Sequence, residues 1–227
     1  VTGEYSDEYL DEATMNPADH DMLAQPDLAT LRVVPWGEEP TACVIHDCFD
    51  QSGIPVDIAP RQVLRRVLKL YQDRGLAPLV APEIEFYLVK RNTDPDYPLE
   101  PPVGRSGRKE TVRQPYSMDA VDEFEPFIED IYDYCEVQRL GVDNLAHETG
   151  TAQLELNFQH GDPIELCDQM FLFKRTVRET AMRHDIYATF MAKPMEHEPG
   201  SSMHWHISMN DLATGRNAFS NPDGSES

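Results

Sequence analysis

The sequence predicts an α+β fold built mainly on antiparallel sheet. Three observations predict it. Strand-like and helix-like stretches follow one another as strands, helix, strand, helix, strand, helix, strand, strand. Most of the connections between them are short, which suits an antiparallel domain better than a doubly wound parallel one. Several strand-like stretches, TAQLELNF at 151–158 among them, alternate apolar and polar residues with period two.

Residues 1–22 are polar and acidic with no clear period, so a loop is expected there. LATLRVVPW and TACVIHDCFD then read as two strands, with GEEP as the turn between them and QSG closing the second. PRQVLRRVLKLYQDRG changes the period. Pro60 opens a helix, Gly75 ends it, and Val63, Leu64, Val67, Leu68 and Tyr71 recur at helical spacing. APEIEFYLV, 81–89, is a strand. Residues 91–117 are rich in proline and hold no sustained period, which predicts a long loop, functional or disordered. A second helix is expected from about Met118 to Leu140, ended by Gly141, with a kink or late start at Pro126. A third is expected over 168–185, followed by the strands YATFMAKP and SSMHWHISM.

The chain of 227 residues carries 41 acidic and 19 basic side chains, a net charge of −22. Such a balance argues against nucleic acid or an anionic membrane surface as partner. No apolar run approaches the ~18 residues of a membrane span. The first thirty residues hold eight acids and no Lys or Arg, the reverse of a targeting leader. Cys43, Cys48, Cys135 and Cys167 form no CxxC pair and are expected to be reduced thiols of a cytoplasmic protein. The ending NPDGSES reads as the middle of a loop, so the chain is expected to be a piece of something longer.

Three strands present metal-competent groups. Glu83 and Glu85 lie two apart in APEIEFYLV and share a face. HETGTAQLELNF offers Glu148 and Glu155, with His147 and His160 nearby, and MHWHIS offers His204 and His206. Alone, ExE or HxH is a solvated strand face. Four carboxylates converging from separate strands would repel one another, and a pair of divalent cations removes that penalty. A carboxylate-rich set with imidazole suits Mg²⁺ or Mn²⁺ better than Zn²⁺, and Mg²⁺ at such sites shares itself with substrate phosphates. The cluster Arg105, Arg108, Lys109 and Arg113 in the long loop reads as solvated. There is no Gly-rich phosphate loop and no GxSxG elbow.

APEIEF, ETGTAQLELNF and PGSSMHWHIS, in that order and spacing, resemble the three metal-binding motifs of the glutamine synthetase family. PDLATLRVVPW and ACVIHDCFD resemble the end of its N-terminal β-grasp domain, so the match covers most of 26–210. The flavour is that of the γ-glutamylpolyamine synthetase branch. The resemblance implies a partial β-grasp domain over 1–56 and a partial catalytic domain over 57–227. It implies that Glu85, Glu148 and Glu155 ligate a first metal and that Glu83 and His204 hold a second, nearer the ATP phosphates. His206 and Ser208 fall where the family contacts nucleotide, and Gly200 matches the glycine of a glutamate-binding loop. Asp7 stands for the acid that deprotonates the amine, and Tyr116 for a residue lining the amine pocket. Pro199 replaces the family's asparagine before that glycine, and Ala152 replaces a glycine before Gln153.

The implied activity joins the γ-carboxylate of glutamate to ammonia or a larger amine through a γ-glutamyl phosphate, with ATP as co-substrate and two Mg²⁺ or Mn²⁺ ions. The implied assembly is a dodecamer of stacked rings. The family's arginine cluster and last metal-binding glutamate lie beyond Ser227, so the chain by itself is expected to be inactive. Two readings compete with the ligase: a metal-dependent phosphohydrolase using the same carboxylates, and a non-catalytic assembly protein of the same fold.

Overall fold

The structure is a computed structural model that describes residues 21–221. Its elements in chain order are β1 (Leu23–Pro26), a 3₁₀ turn (Leu28–Thr30), β2 (Arg32–Val33), β3 (Ala42–Cys43), β4 (His46–Phe49), α1 (Pro60–Gln72) and β5 (Leu76–Lys90). There follow α2 (Met118–Asp122), α3 (Glu125–Gln138), β6 (Val142–His147), β7 (Gln153–Phe158), α4 (Pro163–Arg183), β8 (Ile186–Thr189) and β9 (Met203–Asp211). The β1–β4, β5–β7, β5–β8 and β6–β7 pairs are antiparallel, and the fold is α+β. Among the described residues no helix is long and apolar enough to cross a membrane.

The described chain divides into two compact units. The first takes in residues up to Leu31, Ala42–Pro78 and the segment from Met209. Within it β1 pairs with β4, Leu23 opposite Phe49 and Pro26 opposite His46. Helix α1 is tied to that pair by charge: Arg61 reaches Asp27 at 2.7 Å and Asp47 at 2.9 Å, and Arg65 reaches Asp47 at 2.7 Å. The Arg61 guanidinium holds the Asp27 carboxyl below its ordinary value. Pro60 at the first turn and Gly75 at φ +73° bound the helix as its sequence predicts.

The second unit comprises Arg32–Thr41 and Leu79–Ser208. Its sheet runs β6-β7-β5-β8, with β9 also paired to β5. The alternation in β5 and β7 sorts their side chains to two faces. Ile84, Phe86 and Leu88 of β5, with Leu154, Leu156 and Phe158 of β7, are buried on one of them. Phe173 of α4 meets Phe86 and Phe158 there, its ring centroid 6.5 and 5.2 Å from theirs, both edge-on. Helix α3 packs on α4 and shares a buried hydrogen bond, Gln138 Nε2 donating to Thr176 Oγ1 at 2.8 Å.

Several boundaries differ from expectation. LATLRVVPW is not one strand, because Asp27 caps a 3₁₀ turn: its Oδ1 accepts from Ala29 N, and Thr30 Oγ1 donates to its carbonyl. The strand paired with β4 lies upstream, at Leu23–Pro26. The second helix is two helices, α3 starting at Glu125 with Pro126 in its first turn, the late start anticipated at that proline. It ends on Arg139 at φ 56°, two residues before Gly141. Helix α4 begins five residues early, at Pro163, because Asp162 caps it through the Ile164 and Glu165 amides. All four cysteines are free.

Candidate metal and substrate site

The register of β5 against β7 builds the site. Glu83 stands opposite Asn157 and Glu85 opposite Glu155, so these four polar side chains share the sheet face away from Phe173. β9 brings His204 and His206 to the same carboxylates. One ligand atom from each of Glu83, Glu155 and His204 lies within 4.8 Å of the other two. His206 Nε2 is 2.7 Å from Glu83 Oε1, and His204 Nδ1 is 3.5 Å from Glu83 Oε2. Both imidazoles are more than 60 % exposed (62 and 66 %), which leaves them open to a ligand. Ser208 follows His206 by two residues on β9 and so faces the same way.

The cluster is electrostatically unbalanced. Burial raises the Glu155 pKa above its ordinary value, the Asn157 amide opposes the rise, and the carboxylates of Glu83, Glu148 and Glu85 add to it. A half-buried acid pressed by three others is the condition that a cation relieves. Two carboxylates and an imidazole supply the hard donors that Mg²⁺ or Mn²⁺ prefers, so the residues fit such an ion.

Glu85 and Glu148 lie outside that tight triad. Glu85 is buried, its Oε2 accepting from Gln153 Nε2 at 2.9 Å and from Ser202 N at 3.0 Å. Glu148 Oε2 accepts from Thr149 N at 3.0 Å. Gly200 sits in a loop that the sheet holds by its backbone: Gln153 Nε2 donates to Gly200 O at 3.0 Å, and Tyr87 Oη donates to Pro199 O at 2.8 Å. A Cβ on Gly200 would lie 2.8 Å from Ala192 O, so glycine is required by close approach. Glu198 next to this loop accepts from Arg113 Nε at 3.2 Å and from Thr151 N at 3.3 Å. Tyr116 projects its side chain outward, 78 % exposed, from a left-handed backbone at φ 60°, while its amide donates to His147 O. Asp7 lies outside the described residues.

Two histidines named with the motifs are not placed as ligands. His147 is fully buried: its Nδ1 is 2.7 Å from Glu148 O and its Nε2 is 3.0 Å from Glu110 Oε2. His160 is exposed and outside the cluster. The loop cations are paired, Arg105 with Glu125 and Asp122, Lys109 with Glu100, Arg113 with Glu198. Sequence reasoning missed Gln153, Tyr87, Glu198 and Glu110. Gln153 and Tyr87 sit inside strands already read as core, and Glu110 lies in a loop without a period.

An α+β domain whose antiparallel sheet gathers carboxylates and imidazoles on one face defines a metal-competent site. Residues 57–227 match the glutamine synthetase catalytic domain, and the chain belongs to that family. It is 39 % identical over 180 residues to the gamma-glutamylputrescine synthetase PuuA of Escherichia coli K12, covering 78 % of this chain and 38 % of that protein. It is 32 % identical over 207 residues to a glutamate–isopropylamine ligase of Pseudomonas sp, covering 89 % and 43 %. It is 32 % identical over 206 residues to the glutamine synthetase of Pyrococcus horikoshii, covering 91 % and 43 %. The chain thus spans less than half the length of these relatives. Among solved structures, apo GmaS without ligand superposes with a TM-score of 0.78 at 29 % identity, over 93 % of this chain and 48 % of that one.

Proposed function

We propose that this protein is an ATP-dependent ligase that joins the γ-carboxylate of glutamate to an amine, through a γ-glutamyl phosphate. The observation that carries the reading is the convergence of Glu83, Glu155 and His204 from three strands to within 4.8 Å. Support comes also from relatives named for glutamate ligation to putrescine, isopropylamine and ammonia's product glutamine, and from a GmaS/ADP complex that superposes at a TM-score of 0.77 with 30 % identity.

On this reading Glu85, Glu148 and Glu155 hold one Mg²⁺ or Mn²⁺, and Glu83 and His204 hold a second. Bound there, the ions supply neutralisation of the charge that builds on the phosphoryl oxygens during transfer. The protein's own groups do the remainder. His206 and Ser208 face the nucleotide. The Pro199–Gly200 backbone, pinned by Tyr87 and Gln153, orients glutamate so that its γ-carboxylate oxygen attacks the γ-phosphorus in line as ADP departs. The amine nitrogen then attacks the acyl carbon and phosphate leaves, the surplus proton passing to Asp7. Tyr116 lines the approach of the amine. Residues 1–56 belong on this reading to the β-grasp domain and 57–227 to the catalytic domain, and the enzyme works as a cytoplasmic ring-shaped oligomer.

The test takes the intact protein with glutamate, ATP and Mg²⁺ or Mn²⁺ and measures phosphate release against ammonia, monoamines and putrescine. The expected result is amine-stimulated release with a γ-glutamyl amide detected by mass spectrometry. Phosphate release that no amine stimulates, with no amide formed, would mark a phosphohydrolase and refute the ligase.

A further inference from the structure

Glu110 belongs to none of the motifs, yet the turn that carries Glu148 is anchored on it. Its side chain is 8 % exposed. One oxygen, Oε2, accepts from Ala152 N at 2.6 Å and faces His147 Nε2 at 3.0 Å. The other ring nitrogen of His147 reaches the carbonyl of Glu148 at 2.7 Å. A carbonyl can only accept. Its Nδ1 therefore donates to that carbonyl, and the buried ring bridges Glu110 and the backbone of Glu148.

The same carboxylate grips the far end of the turn. Ala152 sits at φ 54°, a left-handed conformation that a residue with a Cβ rarely adopts. Its amide is fixed by Glu110, while its carbonyl accepts from Leu88 N of β5 at 2.9 Å. Glu110 itself lines a cavity of about 460 Å³ between its loop and α2 with the residues that follow that helix. Its Oε1 is buried without a partner, which makes the group costly to keep for stability alone. One oxygen of one loop residue thus touches both ends of the turn 148–152, directly at Ala152 N and through His147 at Glu148.

We propose that Glu110 is a positioning residue for Glu148: through His147 and the Ala152 amide it fixes the turn, and with it the carboxylate. The inference rests on the assignment of Glu148 to a metal site made above. Groups that orient metal ligands from behind are worth about 10–100-fold in metal affinity.

The experiment measures Mn²⁺ binding to the intact protein by calorimetry in wild type, Glu110→Gln, Glu148→Gln and the double variant, at a temperature where circular dichroism shows all four folded. Gln keeps the shape of Glu110 and removes its charge. Glu110→Gln is expected to bind Mn²⁺ about 10–100-fold more weakly, and to cost nothing further once Glu148 is already Gln. Unchanged affinity in Glu110→Gln overturns the proposal, as does an equal loss with and without Glu148. A Glu110→Gln protein that folds at no temperature makes Glu110 structural and overturns it too. Wild type that binds no Mn²⁺ sinks the metal-site reading itself, a result distinct from the other three.

Discussion

Glu155→Gln tests whether the carboxylate cluster is a site or an accident of register. The oxygens of Glu83 and Glu155 lie within 4.8 Å. Two unit charges at that distance repel by roughly 1 kcal/mol in bulk water and about 3 kcal/mol at the effective dielectric of 20 typical of partly buried pairs. Removing one charge without changing shape should therefore stabilise the metal-free protein by about 1–3 kcal/mol. Acid has the same effect on wild type. The Glu155 pKa is raised by burial and by its acidic neighbours, so metal-free stability should increase as pH falls through that raised value, a component the variant lacks. Metal should reverse the order. At a hundred times its dissociation constant, a bound ion adds about 2.7 kcal/mol to wild type, or roughly 5–10 °C in Tm for a domain of this size. The assay is thermal unfolding with chelator and then with Mn²⁺, each across pH 5–8. A variant less stable than wild type in chelator, or one with an undiminished Mn²⁺ shift, would refute the reasoning.

Two further outcomes follow from close contacts. Gly150→Ala would place a Cβ 2.0 Å from the Tyr87 hydroxyl and 2.6 Å from its ring, and Tyr87 is fully buried. The expected loss is about 1–3 kcal/mol in urea unfolding, and an unchanged midpoint would show that the ring moves freely. Tyr87→Phe removes the donor to Pro199 O. A loss of about 1 kcal/mol in holding that loop should raise the glutamate KM roughly five-fold and leave that of ATP alone. Equal changes in both would disprove a role confined to the glutamate side.

The elements whose pattern is carried by apolar residues were legible in the sequence. β5, β7 and α1 show their periods plainly, and Glu83, Glu85, Glu155, His204 and His206 lie on strands as their alternation predicts, while Glu148 falls in the turn before β7. β6 was not legible: VDNLAH has polar residues at its centre, Asp143 and Asn144 are exposed, and it slips register between Val142 and Leu145. Capping decided the other misses. Asp162-Pro163 is a helix start visible in the sequence, and Asp27 caps a 3₁₀ turn at the start of a run that hydropathy alone reads as one strand. At the site, residues spaced two apart on one strand were readable. Contacts such as Glu110 with His147, which join a loop to a strand 37 positions away, leave no periodic trace.

Tyr87 is the residue at which β5 is paired on both sides, opposite Gln153 of β7 and opposite Thr189 of β8. That double pairing makes folding its own proofreader. Were β7 to slide one position along β5, Glu155 would turn towards Phe173 and the site face would receive Leu154 and Leu156. A chain with a misassembled site would thus also have a charged and poorly packed core. Such a molecule would be unstable for the same reason that its site is wrong.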